Sequence, residues 1–245
     1  MPVFWLSEKD LNFPNPELAN EDGILAIGGD LSIERLLIAY NNGLFPWYNP
    51  NDPILWWSPD PRFVLFPDEL KIAKSMRSYF NQRKFEVTFD KDFEQVIRSC
   101  KSQNRQGQGG GTWISEEMVQ AYCNLHQAGY AHSVEVWKSG KLVGGLYGIS
   151  LGGIFFGESM FSKESNASKV GFITLVKYLT AQGCQLIDCQ QETGHLKSLG
   201  GRSISRSSFL KIVGKNQSNA TTPRSWNNES ADLFSYVFDA IRKQD

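Results

Sequence analysis

From residue 132 the chain adopts a two-residue period. HSVEVW, LVGGLYGI and IFFGESMF alternate side chains between two faces and are joined only by KSGK and SLGG. Successive strand side chains point to opposite faces, and Gly-containing connections this short leave the strands no option but to reverse on their neighbours. The spacing therefore predicts a three-stranded antiparallel meander, and a sheet with apolar residues on both faces must be covered by helices.

The flanking segments supply those helices. Leu70, Ala73, Met76 and Phe80 share one helical face, FEVTFD reads as a strand, and Phe93, Val96, Ile97 and Cys100 mark the next helix. QNRQGQGGG reads as a flexible loop, its glycines at 107–111 an expected mobile flap, and Ser115 then caps a helix carrying Met118, Val119, Tyr122 and Leu125. After the meander come a helix over NASKVGFITLVKYLTAQ, a strand at CQLIDCQ and a last helix through Phe209, Leu210 and Val213. The polar run from Gly214 onward is expected to be loosely held. Ahead of all this, residues 1–61 carry one clear helix, capped by Ser32 with Ile33, Leu36, Leu37 and Tyr40 on its apolar face. Around it the Trp-, Pro- and Gly-rich chain reads as loop. The expected organisation is a small N-terminal lobe, 1–61, against a larger domain, 62–245. The class is α+β, in an order similar to the acyltransferase fold typified by the GNAT acetyltransferases.

Composition narrows the function. With 245 residues, 41% of them apolar, and nowhere 18 apolar residues in succession, the chain reads as a folded globular protein, expected to be cytoplasmic and monomeric, with no membrane contact. Its four cysteines form no CxxC pair and its three histidines are scattered, so no metal is expected. The net charge of −1 hides a polarity. Residues 1–61 hold two basic residues against nine acidic ones, whereas 62–105 hold ten against six and 160–215 eight against three. Basic blocks of this kind meet phosphate or form solvated helix faces. Acyl-CoA chemistry would need a Gly-rich turn to cradle the pyrophosphate. FSKESNASKVG offers Lys163 and Lys169 but no RxxGxG/A pattern, so the acyl group is expected to arrive on another carrier, without a cofactor.

Asp188 is the residue most in need of a reason. It follows Leu186 and Ile187 in an apolar strand, where a carboxylate costs several kcal/mol unless paired or hydrogen-bonded. Gln190, two residues on, belongs to the same strand face if the alternation holds.

Nine ordered stretches, AIGGDLS, GLFPWY, PILWWSPDPR, GTWIS, AHSVEVW, LVGGLYG, GESMFS, NASK and LIDCQ, resemble the leucyl/phenylalanyl-tRNA–protein transferases. That resemblance implies transfer of Leu, Phe or sometimes Met from aminoacyl-tRNA to proteins beginning with Lys or Arg, which marks them for degradation. It places Asp188 and Gln190 at the reaction centre and makes Glu158 an active-site acid that suits the acceptor's cationic residue. It also implies an aminoacyl pocket walled by Leu146, Phe155, Met160, Leu175, Leu179 and Ile187, and terminal-adenosine contacts at Tyr40, Trp47 and Trp113. Lys74, Arg77, Arg83 and Lys84 are candidates for acceptor-stem phosphates. An aminoacyl ester is already activated, so peptide formation needs orientation and a deprotonated amine rather than a nucleophilic side chain. Two proton routes stay open. Asp188 polarises Gln190, whose amide oxygen orients the amine, or Asp188 positions substrate while the terminal ribose hydroxyl and water carry protons. An acetyl-CoA N-acyltransferase and a non-catalytic RNA- or N-terminus-binding module are the competing readings. QETGHLKSLGG, after LIDCQ, departs from the Asn/Asp-containing turn commoner in the family.

Overall fold

The computed structural model describes residues 3–103 and 113–227; the segment at 107–111 and the end of the tail lie outside these. In chain order come β1 (Phe4–Leu6), β2 (Ile24–Gly28), α1 (Ile33–Asn41), β3 (Phe45–Pro46), β4 (Leu55–Trp57), β5 (Arg62–Leu65) and α2 (Lys74–Asn81). Then follow β6 (Glu86–Phe89), α3 (Phe93–Lys101), α4 (Glu116–Gln127), β7 (Ala131–Lys138), β8 (Lys141–Leu151) and β9 (Ile154–Ser162). The chain continues through α5 (Ala167–Ala181), β10 (Leu186–Gln190), α6 (Gly194–Ser198), β11 (Arg202–Ile204) and α7 (Arg206–Asn216). The class is α+β.

The meander forms as β7–β8–β9, and around it assembles a seven-stranded sheet in the order β11-β5-β10-β9-β8-β7-β6. All of its pairs are antiparallel except β9 and β10. Alternation sorts the core into two layers. Tyr147 and Phe156 face the first lobe, α3 and α4, whereas their neighbours Leu146 and Phe155 face α2 and α5. Helix α5 shows no polar stripe because nearly every turn is buried. It approaches β8 so closely that a Cβ at Gly144 would lie 2.7 Å from the Ala167 Cβ. Side-chain caps start several helices: Ser32 accepts from the Arg35 N–H, Asp92 from that of Gln95, and Ser115 from that of Met118.

Three expectations are corrected. The first lobe is mostly irregular around α1, as expected, but it also holds an unexpected sheet: β1, β2, β4 and β3 pair as four very short strands, too brief to leave a period in the sequence. The region after β10 adds α6 and β11, and β5 threads between β10 and β11. Nor is the described part of the tail, residues 214–227, loosely held. Helix α7 continues to Asn216, whose side chain bonds Gly153 N–H and the Leu151 carbonyl. The chain then crosses back so that Trp226, 4% exposed, stacks on His132 at 3.6 Å. Its backbone N–H donates to Asp90 at 2.7 Å. One aromatic side chain outweighs a run of polar neighbours because it removes so much apolar area from water. Among the described residues no helix is long and apolar enough to cross a membrane.

Trp226→Ala is expected to lower unfolding free energy by ~3–5 kcal/mol in urea titrations, as for other buried aromatics. A loss within about 0.5 kcal/mol would return this segment to the loosely held state.

Candidate functional site

Where the chain pairs β9 with β10, the ladder runs only from Leu186/Ile154 to Asp188/Phe156. Beyond that point the strands part. Gln190 takes φ 61°, and the pairing of β10 with β5 shifts register between Asp188 and Gln190. A cavity of about 500 Å³ opens there, between the first lobe (Phe45, Trp47), the sheet and helices α5 and α6. Opposite, β8 carries its own irregularity at Tyr147/Gly148. A Cβ at Gly148 would fall 2.2 Å from the Phe156 carbonyl oxygen, so only glycine permits that approach.

Asp188 is fully buried, and its reason for being there is Arg62, at the start of β5 and equally buried. The pair is bidentate, Nε to Oδ1 at 2.8 Å and Nη2 to Oδ2 at 2.6 Å. The guanidinium lies between the rings of Phe45 (4.6 Å) and Phe209 (4.5 Å). Asp188 Oδ1 also accepts the backbone N–H of Gln190 at 2.9 Å, which holds that residue in its left-handed conformation. The bulge changes the relation expected between Asp188 and Gln190: the carboxylate fixes the backbone of Gln190, and the side-chain amide of Gln190 donates instead to Glu158 Oε1 at 2.9 Å. This aims the amide oxygen away from Glu158.

Glu158 gathers three donors. Besides Gln190, Tyr40 Oη donates to Oε1 at 2.7 Å and Tyr122 Oη to Oε2 at 2.8 Å, while the two phenols lie 2.6 Å apart. Burial pushes the carboxyl up to about 7, with the Asp188 charge adding to the rise and the three hydrogen bonds opposing it. Burial, reinforced by Glu158, raises both phenols well above their usual range, so they remain donors.

The remaining expected residues divide. Leu146, Phe155, Met160, Ile187, Trp47 and Trp113 line the cavity with Glu158, Asp188 and Gln190. Leu175 and Leu179 do not. They lie on α5 with their side chains buried in the core, and it is Ser168 and Phe172, nearer the helix start, that reach the wall. Tyr40 does not line the cavity either: it is fully buried, edge-on to Phe156, and acts through its hydroxyl on Glu158. Lys74 and Arg77 lie on α2, with Arg83 and Lys84 in the turn after it, where Lys84 Nζ covers the Tyr79 ring at 4.5 Å. Sequence reasoning missed Arg62, Tyr122, Phe172 and His195. For Arg62 there was a signal: an arginine opening the apolar run RFVLF needs a buried anion as much as Asp188 needs a cation.

A family model described as leucyl/phenylalanyl-tRNA protein transferase matches residues 64–214, and a model for that transferase's N-terminal domain matches residues 29–60. The chain belongs to this family. The leucyl/phenylalanyl-tRNA–protein transferase of Syntrophobacter fumaroxidans is 55% identical over 94% of this chain and 97% of its own. That of Flavobacterium johnsoniae is 58% identical over 84% of this chain and 96% of its own. A solved structure of L-PGS from Bacillus licheniformis, 12% identical, aligns over 90% of this chain and 74% of that one with a TM-score of 0.37, too low to define a shared fold. In this member of the leucyl/phenylalanyl-tRNA–protein transferase family the two matched segments adjoin the cavity from both sides: Phe45 and Trp47 from the first, the rest of the described wall mostly from the second.

The raised Glu158 carboxyl has a consequence for stability. Its folded value lies above its unfolded one, so between about pH 4.5 and 7 the native state binds the extra proton, and stability from this group is lost as pH rises through that window. Wild type is therefore expected to lose stability relative to Glu158→Gln between pH 5 and pH 8, by an amount on the order of 3 kcal/mol, in urea titrations at each pH. A pH-independent difference would mean Glu158 ionises normally in the folded chain.

Proposed function

We propose that this chain transfers Leu or Phe, and as a third acyl group Met, from aminoacyl-tRNA to the N-terminal Lys or Arg of an acceptor protein. The acceptor amine attacks the ester directly, without a covalent enzyme intermediate, and the new N-terminus marks the acceptor for degradation. The observation that carries this reading is an apolar cavity with an interlinked polar floor, Asp188, Gln190 and Glu158, tied to the buried Arg62 behind it. Such a floor orients reactants, and orientation is what an activated ester requires. Cys189 also lines the cavity, but burial pushes its thiol far up, which argues against an acyl-thioester.

In this reading Leu146, Phe155, Met160, Ile187 and Phe172 hold the transferred side chain, and Trp47 and Trp113 meet the terminal adenosine, where a base stack contributes ~1–3 kcal/mol. Glu158 takes the acceptor's cationic side chain, which favours its ionised form. Gln190 turns its amide oxygen to the incoming amine, and Asp188 holds Gln190 in place. Lys74, Arg77, Arg83 and Lys84 follow the phosphates of the acceptor stem. The larger domain carries a GNAT-like sheet, which the meander, the covering α5 and the parallel β9/β10 pair that parts at the site support. A boundary near residues 61–62 is supported by the two family segments. The chain works as a monomer in the cytoplasm.

The direct test is incubation with Leu-, Phe- and Met-charged tRNA and an Arg-initiated peptide, with products identified by mass; absence of any extended peptide would sink the reading. Asp188→Asn should lose at least about 100-fold in kcat while still binding charged tRNA. It should also lose ~3–5 kcal/mol of stability, because it strands the buried Arg62. Turnover equal to wild type would remove Asp188 from the reaction. Charge reversal of Lys74 and Arg77 to Glu should raise KM for tRNA and reduce the salt slope of binding by about one unit per lost phosphate contact. An unchanged slope would move the tRNA off α2.

A further inference from the structure

His195, at the start of α6, lines the same cavity as Glu158, Asp188 and Gln190. The segment that carries it is fixed from both sides. The Thr193 hydroxyl caps the helix by accepting the Leu196 N–H, and Leu196 anchors it in the core. Nε2 of His195 is shielded from water and has no hydrogen-bond partner. Leaving a buried ring nitrogen unpaired costs free energy, and a native structure that tolerates it invites the question of what supplies the missing partner.

The rest of the site narrows the answer. Asp188 is committed to Arg62 and the Gln190 backbone, and Glu158 to Tyr40, Tyr122 and Gln190. Asp188 is pinned by Arg62, and in the reading above Glu158 takes the acceptor's cationic side chain, so the amine's proton falls to another group. Among the described residues of the wall, His195 contributes the only basic nitrogen. Burial lowers its pKa, and Lys169 on α5 lowers it further, which favours the neutral ring. The other charges around it are committed: Lys197 pairs with Glu192 on the same segment, and the Asp188 carboxylate is offset by Arg62.

We infer that His195 is a further catalytic residue, the proton carrier of the transfer, an inference that rests on the aminoacyl-transfer reading above. The neutral amine of the acceptor attacks the ester carbonyl carbon. A C–N bond forms and the carbonyl π pair moves to oxygen. The nitrogen, now positive, gives one proton to His195 Nε2. As the C=O bond re-forms, the C–O bond to the ribose breaks, its electron pair stays on the ribose oxygen, and that oxygen takes the proton from the imidazolium. The imidazole is regenerated and no other reactant is consumed. Gln190 orients the amine and His195 moves its proton.

The test uses the full chain with Phe-charged tRNA and an Arg-initiated peptide, followed by mass and by single-turnover rates. His195→Gln keeps size and polarity but cannot carry a proton at neutral pH; it should melt within a few degrees of wild type, bind charged tRNA normally and lose about 100-fold or more in rate. His195→Ala should be equally slow, and added imidazole should restore it at least about tenfold, with rates across substituted imidazoles tracking their pKa. Wild-type turnover by His195→Gln, or a folded, tRNA-binding His195→Ala that no imidazole rescues, would overturn the proposal. Wild type that makes no extended peptide in the same assay would overturn the transferase reading itself, and this proposal with it.

Discussion

The buried ion pair between Arg62 and Asp188 is the constraint on which the rest of the molecule depends. Neither side chain has water to fall back on. A pair of this kind contributes little net stability compared with an apolar replacement, yet removing one partner is costly because the other is left charged and desolvated. Its position explains why it is tolerated. Arg62 opens β5 and Asp188 ends the regular part of β10, and the guanidinium is held between rings from β3 and α7. First lobe, central sheet and last helix therefore meet on one side chain. The pair also sets the conformation of Gln190 through its backbone N–H, so the constraint that joins the layers is the one that shapes the cavity floor.

A second, softer network surrounds Glu158. Its two tyrosine donors come from opposite sources, Tyr40 from α1 in the first lobe and Tyr122 from α4. A carboxyl poised near neutrality by burial is easily tipped by a cation brought close. The charge state of this group thus depends on what occupies the cavity, whereas Asp188 already has its counter-charge, Arg62, within the fold.

Much of this was legible in the sequence, and the failures share a cause. The meander, α5 and the capped helices announced themselves because each repeats a local period over several residues. Strands of two or three residues, such as β1, β3, β4 and β11, are too short to carry one; they exist because neighbouring strands supply their hydrogen bonds. At the site, Asp188 stood out as an anomaly, but strict alternation placed Gln190 beside it on one face, and a single left-handed residue undoes that geometry. The family pattern points to the ring of Tyr40, whereas in the fold that ring is buried and the hydroxyl donates to Glu158. The expected wall residues Leu175 and Leu179 lie one and two turns beyond Phe172, which lines the cavity; helical spacing alone does not tell which turn meets the wall. Trp226 was hidden by polar neighbours whose composition says nothing about one anchoring contact.

Strand β5 lies between β10 and β11, and Arg62 waits for a partner 126 residues away along the chain. Contacts of such long range close late, because the intervening loop must be ordered before they return anything. The meander and α5 can collapse as a local unit, but the cavity floor has no shape until β5 enters the sheet and Asp188 meets Arg62. A chain in which β5 has not entered the sheet therefore has no formed cavity floor: the floor and the completed sheet arise in the same closure.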